Sequence, residues 1–350
     1  MNKKVLGLGL AAVAVLTLAA CGSRDKSASN SNAKTDLKVA IVTDTGGVDD
    51  KSFNQSAWEG LQSWGKSKGL DKDKGYTYFQ SASESDYATN LDSATSSGYK
   101  LIYGIGFALR DAIAESAKNN SGVNYVIIDD VIKDQKNVFS ATFMDNEASY
   151  LAGVAAAKTT KTNKVGFVGG MEGEVIKRFE AGFKAGVASV NPAIKVDAQY
   201  AGSFSDAAKG KTIAAAQYKS GADVVFQAAG GTGAGVFSEA KALNEGKSEA
   251  DKVWVLGVDR DQKAEGNYKS KDGKNANFVL ASTLKKVGQV VKTVSDDASN
   301  KKFEGGKHIA YGIKDGSVDL INDNMSEKAI KAVDEARQAI KSGEVKVPEQ

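Results

Sequence analysis

Short apolar, β-branched runs alternate with amphipathic stretches along the chain from Leu37 onward. The first run, Leu37–Thr43, is typical of a buried strand, and Phe53–Ser67 has the spacing of an amphipathic helix. The same pattern predicts strands at Tyr76–Gln80, Lys100–Ile105, Tyr125–Ile128 and Val138–Phe143, and helices at Tyr87–Ser97, Ala108–Lys118 and Glu147–Lys158. Alternation of this kind predicts parallel sheets that are covered by helices on both faces.

A second series of the same kind follows. Its predicted strands are Lys164–Val168, Lys195–Tyr200, Asp223–Phe226, Val253–Val258 and Phe278–Ser282, with helices at Val175–Ser189, Ala207–Lys219 and Val236–Asn244. Leu284–Ala298, His308–Ile313, Val318–Leu320 and Glu327–Lys341 close the chain. Two series of this size predict an α/β protein with two doubly wound lobes. We expect residues 36–143 plus 284–311 in lobe 1, and residues 144–283 plus 312–350 in lobe 2.

The N-terminal residues have the pattern of an export signal. Lys3 and Lys4 precede an apolar run, Val5–Ala20, that is too short for a comfortable membrane span. The run ends in Leu18-Ala19-Ala20-Cys21, which resembles a bacterial lipobox, and Cys21 is the only cysteine of the chain. We therefore predict a lipoprotein signal peptide at residues 1–20, and lipidated Cys21 with a disordered tether at residues 21–35. The alternative is an ordinary signal peptide with a cysteine beside its cleavage site.

Composition excludes several classes of function. The formal charge of +3 falls to +1 without Lys3 and Lys4, so the basic stripe of a nucleic-acid binder is not expected. One histidine and one cysteine make a transition-metal site unexpected, and no cofactor is predicted. A serine–histidine catalytic pair would have to use His308, which lies in a strand-like stretch where a structural role is expected.

Polar and aromatic residues follow several of the predicted strands. Asp44 follows the first strand, Phe53 and Asn54 open the next helix, and Asp129 follows the Tyr125–Ile128 strand. Trp58 and Leu61 are expected in the core, and Asp49 or Asp50 is expected to cap the helix. In open parallel sheets, ligands bind beyond the carboxyl ends of the strands. These side chains are therefore candidates for one binding site, although Phe53 could also be a core residue.

The second series supplies matching groups. Asp259 follows the Val253–Val258 strand, Lys285 follows Ala281–Leu284, and Phe204 lies between a strand and a helix. Gly230 belongs to a glycine-rich loop without the Gly-Lys-Ser/Thr of a phosphate-binding loop. Carboxylates can accept from sugar hydroxyls, and aromatic faces can stack on a flat base. Together, the residues predict a ligand with a flat polar ring joined to a polyol.

Five segments match a known family when they are taken together. They are Leu18–Cys21, Asp44 with Asp49–Asn54, Met144–Gly153, Val165–Gly170 and Gly257–Asp259. In these segments the chain resembles the basic membrane lipoprotein family, and within it the purine nucleoside receptor A group. The resemblance covers the chain from Lys3 onward. It implies a type I periplasmic-binding-protein fold, with two lobes joined by three crossovers and a ligand in the cleft.

The resemblance also implies a function and roles for the site residues. The protein would be anchored through Cys21 on the extracytoplasmic face of the cell membrane. It would capture guanosine, adenosine or inosine and deliver it to the permease of an ABC importer. Implied roles are contacts to ribose hydroxyls from Asp44 and Asp259, stacking from Phe53 and Phe204, contacts to the base edge from Asn54 and Asp129, and completion of the ribose pocket by Gly230 and Lys285. Phe179 is an alternative to Phe204, and some similar proteins carry other ligands, such as a flavin.

The same residues are compatible with two other classes of function, an enzyme and a surface adhesin. The carboxylate pairs Asp49-Asp50 and Asp129-Asp130 could serve a nucleoside-hydrolysing enzyme if burial separated their pKa values. No histidine is placed near them in the sequence, so we expect a binding protein and not an enzyme. A surface adhesin without a ligand would leave the same strand-end groups solvated. Thermal melting with nucleosides distinguishes such an adhesin from a nucleoside-binding protein, because a ligand stabilises only a protein that binds it.

Overall fold

The structure is a computed structural model, and it describes residues 35–350. The predicted signal peptide, Cys21 and almost all of the predicted tether lie outside the described residues. Among the described residues, no helix has the length and apolar character needed to cross a membrane.

The first half of the described chain alternates strands with helices, as predicted. Its elements are β1 (Val39–Thr43), α1 (Phe53–Ser67), β2 (Tyr76–Phe79), α2 (Asp86–Ser96), β3 (Leu101–Ile105), α3 (Arg110–Asn119), β4 (Asn124–Ile128) and β5 (Val138–Phe143). A short 3-10 turn, Phe107–Leu109, precedes α3. Trp58 and Leu61 of α1 are buried in the core, which confirms their predicted role.

The second half repeats the alternation. Its elements are α4 (Asp145–Thr159), β6 (Lys164–Gly169), α5 (Glu174–Val190), β7 (Lys195–Tyr200), α6 (Ala207–Lys219), β8 (Val224–Ala228), α7 (Gly233–Glu245), β9 (Trp254–Gly257), β10 (Asn267–Lys269), β11 (Asn275–Asn277) and β12 (Val279–Lys285). The closing elements are α8 (Val287–Ser299), β13 (His308–Tyr311), β14 (Val318–Asn322) and α9 (Glu327–Ser342).

These strands form two six-stranded sheets and a small hairpin. The first sheet has the order β13-β5-β4-β3-β1-β2, and all of its pairings are parallel. The second sheet has the order β14-β12-β9-β8-β6-β7. The chain passes between the sheets after β5, after β12 and after β13. Both sheets therefore contain segments that are far apart in sequence.

One prediction was wrong, and two local features were not predicted. The second sheet is not wholly parallel, because β14 runs antiparallel to β12. Since β13 ends at the carboxyl edge of the first sheet and only residues 312–317 separate it from β14, β14 enters the second sheet at that sheet's carboxyl edge and runs back. The closing segment Leu284–Ala298 is divided between two elements, because Leu284 and Lys285 pair with β14 and prolong β12, and α8 begins only at Val287. The β10–β11 hairpin was not predicted, because Asn and Lys dominate its strands.

Helix packing depends on close backbone approach between α1 and α8. A Cβ atom added at Gly60 of α1 would lie 2.2 Å from the carbonyl oxygen of Gly288 in α8, so no larger residue fits there without movement. Helix α8 therefore packs on the first sheet's helix α1, although it follows a strand of the second sheet. This return of the chain places Lys285, the last residue of β12, close to residues of the first sheet.

Candidate functional site

A cavity lies where the carboxyl ends of the two sheets face each other, and it measures about 480 Å³ including its open mouth. All eight residues predicted to contact a ligand line it: Asp44, Phe53, Asn54, Asp129, Phe204, Gly230, Asp259 and Lys285. Four of them come from the first sheet's series and four from the second. The structure thus brings the predicted site residues together in one place.

One wall is a hydrogen-bonded cluster at the start of α1. Asn54 donates through Nδ2 to Asp44 Oδ1, at 2.7 Å, and to Asp50 Oδ2, at 3.0 Å. Asp50 also accepts from the backbone N–H groups of Asn54 and Gln55, so it caps the helix as predicted. Among the residues that the structure describes, the buried Oδ1 of Asn54 has no hydrogen-bond partner. This wall therefore offers an acceptor that a ligand can use.

Another part of the cavity lining is a buried ion-pair network. Lys285 Nζ lies 2.6 Å from Asp129 Oδ2 and 3.1 Å from Asp145 Oδ1. Asp145 in turn lies 3.6 Å from Arg178. Within residues 35–350, Asp129 Oδ1 is buried and accepts no hydrogen bond. Lys285 thus anchors one oxygen of Asp129, and the other has no partner among the described residues.

Asp259 closes the cavity from the second sheet. It follows β9, and its Oδ2 accepts a hydrogen bond from Ser52 Oγ, which precedes α1 of the first sheet. Nearby, Gln262 Nε2 donates to the backbone carbonyl of Lys51 at 2.9 Å. The turn after Asp259 is capped by Asp261, because Asp261 Oδ1 accepts from the N–H of Lys263. The hydrogen bonds from Ser52 and Gln262 therefore join the loop after β9 to the residues just before α1, across the cleft.

Two residues that line the cavity, and one that adjoins a lining residue in sequence, have a strained backbone. Lys51, Asp129 and Asp259 all have φ between +58° and +71°, a left-handed conformation that costs energy for residues other than glycine. Such conformations are retained mainly where the surrounding structure fixes them, often at ligand sites. Gly106, with φ of +113°, lines the cavity beside Asp44 and Phe53.

Aromatic side chains supply the apolar part of the lining. Phe53 and Phe204 are both half-buried and both line the cavity. Phe107, which was not predicted, lies beside Phe204 with ring centroids 6.2 Å apart. Phe179 also reaches the cavity, but it is 4 % exposed and packs against Phe226 of the core. The exposed ring faces therefore favour Phe204 over Phe179 as the second stacking residue.

Two residues of the site escaped prediction although their positions carried a signal. Phe107 follows the Gly104-Ile105-Gly106 end of β3, and Asp145 follows β5 after a single residue. Both obey the strand-end rule that identified Asp44 and Asp259. The role of Asp145 depends on Lys285, which is distant in sequence, so the sequence alone did not reveal it.

Burial dominates the electrostatics of the cavity. Burial raises the pKa of Asp44 to about 7, against the opposing hydrogen bonds from Gly46 and Asn54. Burial also raises the pKa of Asp259 to about 7, although Lys285 and Ser52 lower it. Burial lowers the pKa of Lys285, but the carboxylates of Asp129, Asp145 and Asp259 raise it by more. The site is therefore rich in acceptors, with one lysine held as a cation.

Comparisons with known proteins agree with this architecture. A solute-binding protein of an ABC transporter system from Aeropyrum pernix K1 superposes with a TM-score of 0.78 at 25% identity, covering 90% of this chain and 94% of that chain. An ABC transporter solute-binding protein from Burkholderia graminis C4D1M in complex with D-arabinose superposes with a TM-score of 0.60 at 17% identity, covering 83% and 96%. The fold is thus that of the solute-binding proteins of the type I periplasmic-binding-protein class, as predicted.

Sequence relatives narrow the class to a family. The family model described as ABC transporter substrate-binding protein PnrA-like matches residues 37–350, and the chain belongs to this family. The ABC transporter nucleoside-binding protein BmpA of Lactococcus lactis subsp. cremoris is 62% identical over 349 residues, which are 99% of each chain. The CD4+ T-cell-stimulating antigen of Listeria monocytogenes is 51% identical over 356 residues, covering 100% of this chain and 99% of that protein. The predicted family is confirmed.

Proposed function

We propose that this protein captures purine nucleosides in the cleft between its two sheets and delivers them to an ABC importer. Cys21 would carry the lipid that holds it on the extracytoplasmic face of the cell membrane. The observation that carries the proposal is the pairing of half-buried aromatic rings with buried, unshared acceptors in one cavity. The name of the Lactococcus lactis relative, a nucleoside-binding protein, supports the same ligand class.

The base is proposed to lie between Phe53 and Phe204, with its edge toward Asn54 and Asp129. Each of these polar residues has a buried oxygen without a partner among the described residues, and the N–H groups of a purine are suitable donors. A buried acceptor left unmatched costs about 1–3 kcal/mol, so a ligand that supplies a donor gains this amount. Stacking adds roughly 1–3 kcal/mol for each contact.

The ribose is proposed to lie beside Asp44 and Asp259. Both are buried carboxylates at strand ends, and their oxygens can accept from adjacent hydroxyl groups. Gly230, with φ of +55°, lets the backbone approach the sugar closely, and Lys285 completes this side. Because several carboxylates surround the cavity, a phosphate group would meet strong repulsion. The site therefore favours nucleosides over nucleotides.

Thermal melting with a panel of ligands tests this proposal. Guanosine, adenosine and inosine should raise the melting temperature in a concentration-dependent manner, since each binds only the folded protein. GMP, ribose and riboflavin should shift it much less. The incubated nucleosides should be recovered intact, because we propose a binding protein and not a hydrolase. A larger shift with riboflavin, or release of free base, would replace this proposal with one of the rival functions.

A further inference from the structure

A second cavity adjoins the proposed ligand site at Asp129. It measures about 540 Å³ including its open mouth, and we call it the side cavity. Phe107, Asp129 and Val175 line both cavities. The side cavity is completed by Asp130, Val131, Thr142, Glu174 and Arg178. Its position beside Asp129 places it next to the edge of the base in the proposed complex.

The lining of the side cavity is partly apolar and has charges that are already partly compensated. Val131, Val175 and Phe107 provide apolar surface, and the hydroxyl of Thr142 is hydrogen-bonded to His308 Nε2 at 2.8 Å. Asp130 lies 3.7 Å from Arg110, and Arg178 lies 3.6 Å from the buried Asp145. A neutral group can therefore lie against these apolar side chains without separating an ion pair of the lining. The buried Nε and Nη2 of Arg178, which have no hydrogen-bond partner among the described residues, then stay unmatched.

The oxygen of Asp129 that has no partner within residues 35–350 determines which kind of group the ligand must place beside it, namely a hydrogen-bond donor. Asp129 Oδ1 is buried and, among the described residues, accepts no hydrogen bond. An exocyclic amine of a purine keeps one N–H after it gains a single substituent, and loses both N–H groups after it gains two. A singly substituted amine can thus donate to Asp129 and direct its substituent into the side cavity.

We propose that the side cavity accepts a substituent on the exocyclic amine of the bound base. The ligand class then includes N-monosubstituted purine nucleosides beside the unmodified ones. This inference rests on the proposed function, because it needs a purine nucleoside with its base edge at Asp129. It adds a discrimination between singly and doubly substituted amines that the proposed function does not contain.

Calorimetric titration of the purified protein with two ligand series tests the inference. One series is adenosine, N6-methyladenosine and N6,N6-dimethyladenosine, and the other is guanosine with its N2-methyl and N2,N2-dimethyl derivatives. In the series whose parent binds more tightly, the monomethyl compound should keep the parent's Kd within about threefold, whereas loss of the last N–H should weaken the dimethyl compound by about tenfold or more. A monomethyl compound that binds more than about tenfold worse than its parent contradicts the inference.

A substitution that fills the side cavity tests the same inference from the side of the protein. Val131 lines the side cavity and is half-buried, so Val131→Phe should leave the parent nucleoside's Kd within about twofold. The same variant should weaken a larger monosubstituted ligand, such as N6-benzyladenosine or N2-benzylguanosine, by about tenfold or more, while Val131→Ala should not. Unchanged parent binding shows that the variant is folded.

The possible outcomes distinguish a failure of this inference from a failure of the proposed function on which it rests. If the parent nucleosides bind but Val131→Phe leaves the benzyl ligand unaffected, or weakens parent and benzyl ligand equally, the side cavity does not hold the substituent and only this inference fails. If no purine nucleoside binds to the wild-type protein, the proposed function fails, and the inference fails with it.

Discussion

Phe53 is the residue on which the proposed stacking depends most. It is half-buried at the first position of α1, where it faces the cavity and touches the core only in part. Phe53→Ala should weaken guanosine binding by about tenfold to a hundredfold, since about 1–3 kcal/mol of stacking is lost. A core phenylalanine would instead lower the free energy of unfolding by about 3–5 kcal/mol. Calorimetric titration and denaturant melts on the same variant separate the two roles.

Phe79 provides the matched control for this substitution. It is also half-buried, but it lies in β2 and packs edge-on against Tyr99 at 6.0 Å. Phe79→Ala should lower stability and leave the guanosine affinity of the folded protein unchanged. If Phe53→Ala behaves as Phe79→Ala does, Phe53 is a core residue and the stacked base must be placed elsewhere.

The buried carboxyls make ligand binding depend on pH. The pKa of Asp44 and of Asp259 is raised to about 7 by burial, and ribose hydroxyls donate most strongly to an ionised carboxylate. The bound state therefore lowers both pKa values, and binding near neutral pH releases protons. Guanosine affinity should fall as the pH falls below about 7, by up to about tenfold per unit for each carboxyl that must ionise.

Titrations between about pH 8 and pH 5.5 measure this dependence. Asp259→Asn removes one of the two titrating carboxyls, so it should weaken binding at neutral pH and also flatten the profile. Asp323, whose pKa burial raises to about 6, follows β14 and is not among the described residues that line the cavity. It serves as the control, because Asp323→Asn should keep the wild-type profile. An affinity that does not change with pH, or that rises in acid, would contradict the ribose contacts.

Individual site residues could be predicted because each follows an apolar run. Asp44, Asp129 and Asp259 come directly after or within two residues of β1, β4 and β9, and parallel strands end at one edge. What the residues do there could not be predicted. That Asn54 uses its amide on Asp44 and Asp50, or that Lys285 holds Asp129, depends on distances between segments that the pattern of hydrophobic positions does not contain.

At the scale of elements, α1, which belongs to the first sheet's half of the fold, contacts the loop that follows β9 of the second sheet. Arg260 lies 3.1 Å from Glu59 across the cleft, in addition to the hydrogen bonds from Ser52 and Gln262. An exposed ion pair contributes about 0.2–1 kcal/mol, so Arg260→Ala or Glu59→Ala should raise the nucleoside dissociation rate by about two- to fivefold. Stopped-flow measurements of dissociation test this expectation.

The charge-swapped pair makes the test specific. Glu59→Arg combined with Arg260→Glu should restore most of the wild-type dissociation rate, and high salt should abolish the difference between wild type and single variants. Glu304→Ala, which removes the exposed Lys307–Glu304 pair, is the control and should have no effect. If the swapped pair dissociates as fast as the single variants, the Arg260–Glu59 contact does not stabilise the ligand-bound arrangement.

The order of the elements was predictable, whereas their ends near the cleft were not. Periodicity located α1, β5, β7 and α6 at their observed bounds, because each has a clear apolar face or run. The antiparallel direction of β14 and the division between β12 and α8 were not predicted, because both are set by pairing between β12 and β14 after the chain has crossed from one sheet to the other. Local pattern carries no information about such a crossing.

At the scale of the whole molecule, the proposed lobes should close around the ligand. The proposed boundaries, residues 36–143 plus 284–311 and residues 144–283 plus 312–350, coincide with the passages after β5 and after β13, whereas the boundary at 283/284 lies two residues before the end of β12. Because ligand groups come from both sides, a bound nucleoside should draw the lobes together. Small-angle scattering should show a smaller radius of gyration at saturation, and Phe53→Ala at the same nucleoside concentration should show less of the change. An unchanged radius in saturated wild-type protein would contradict closure.

Calorimetric titration of the purified protein with guanosine tests the central claim most directly, with guanine and GMP titrated in parallel. If the cleft binds a base between aromatic rings and a ribose through Asp44 and Asp259, guanosine should bind at one site per chain. Guanine should bind at least about tenfold more weakly for lack of the sugar contacts, and GMP more weakly because of the carboxylates. Absence of guanosine binding at concentrations up to about 1 mM, or equal affinities for guanosine and guanine, would contradict the account.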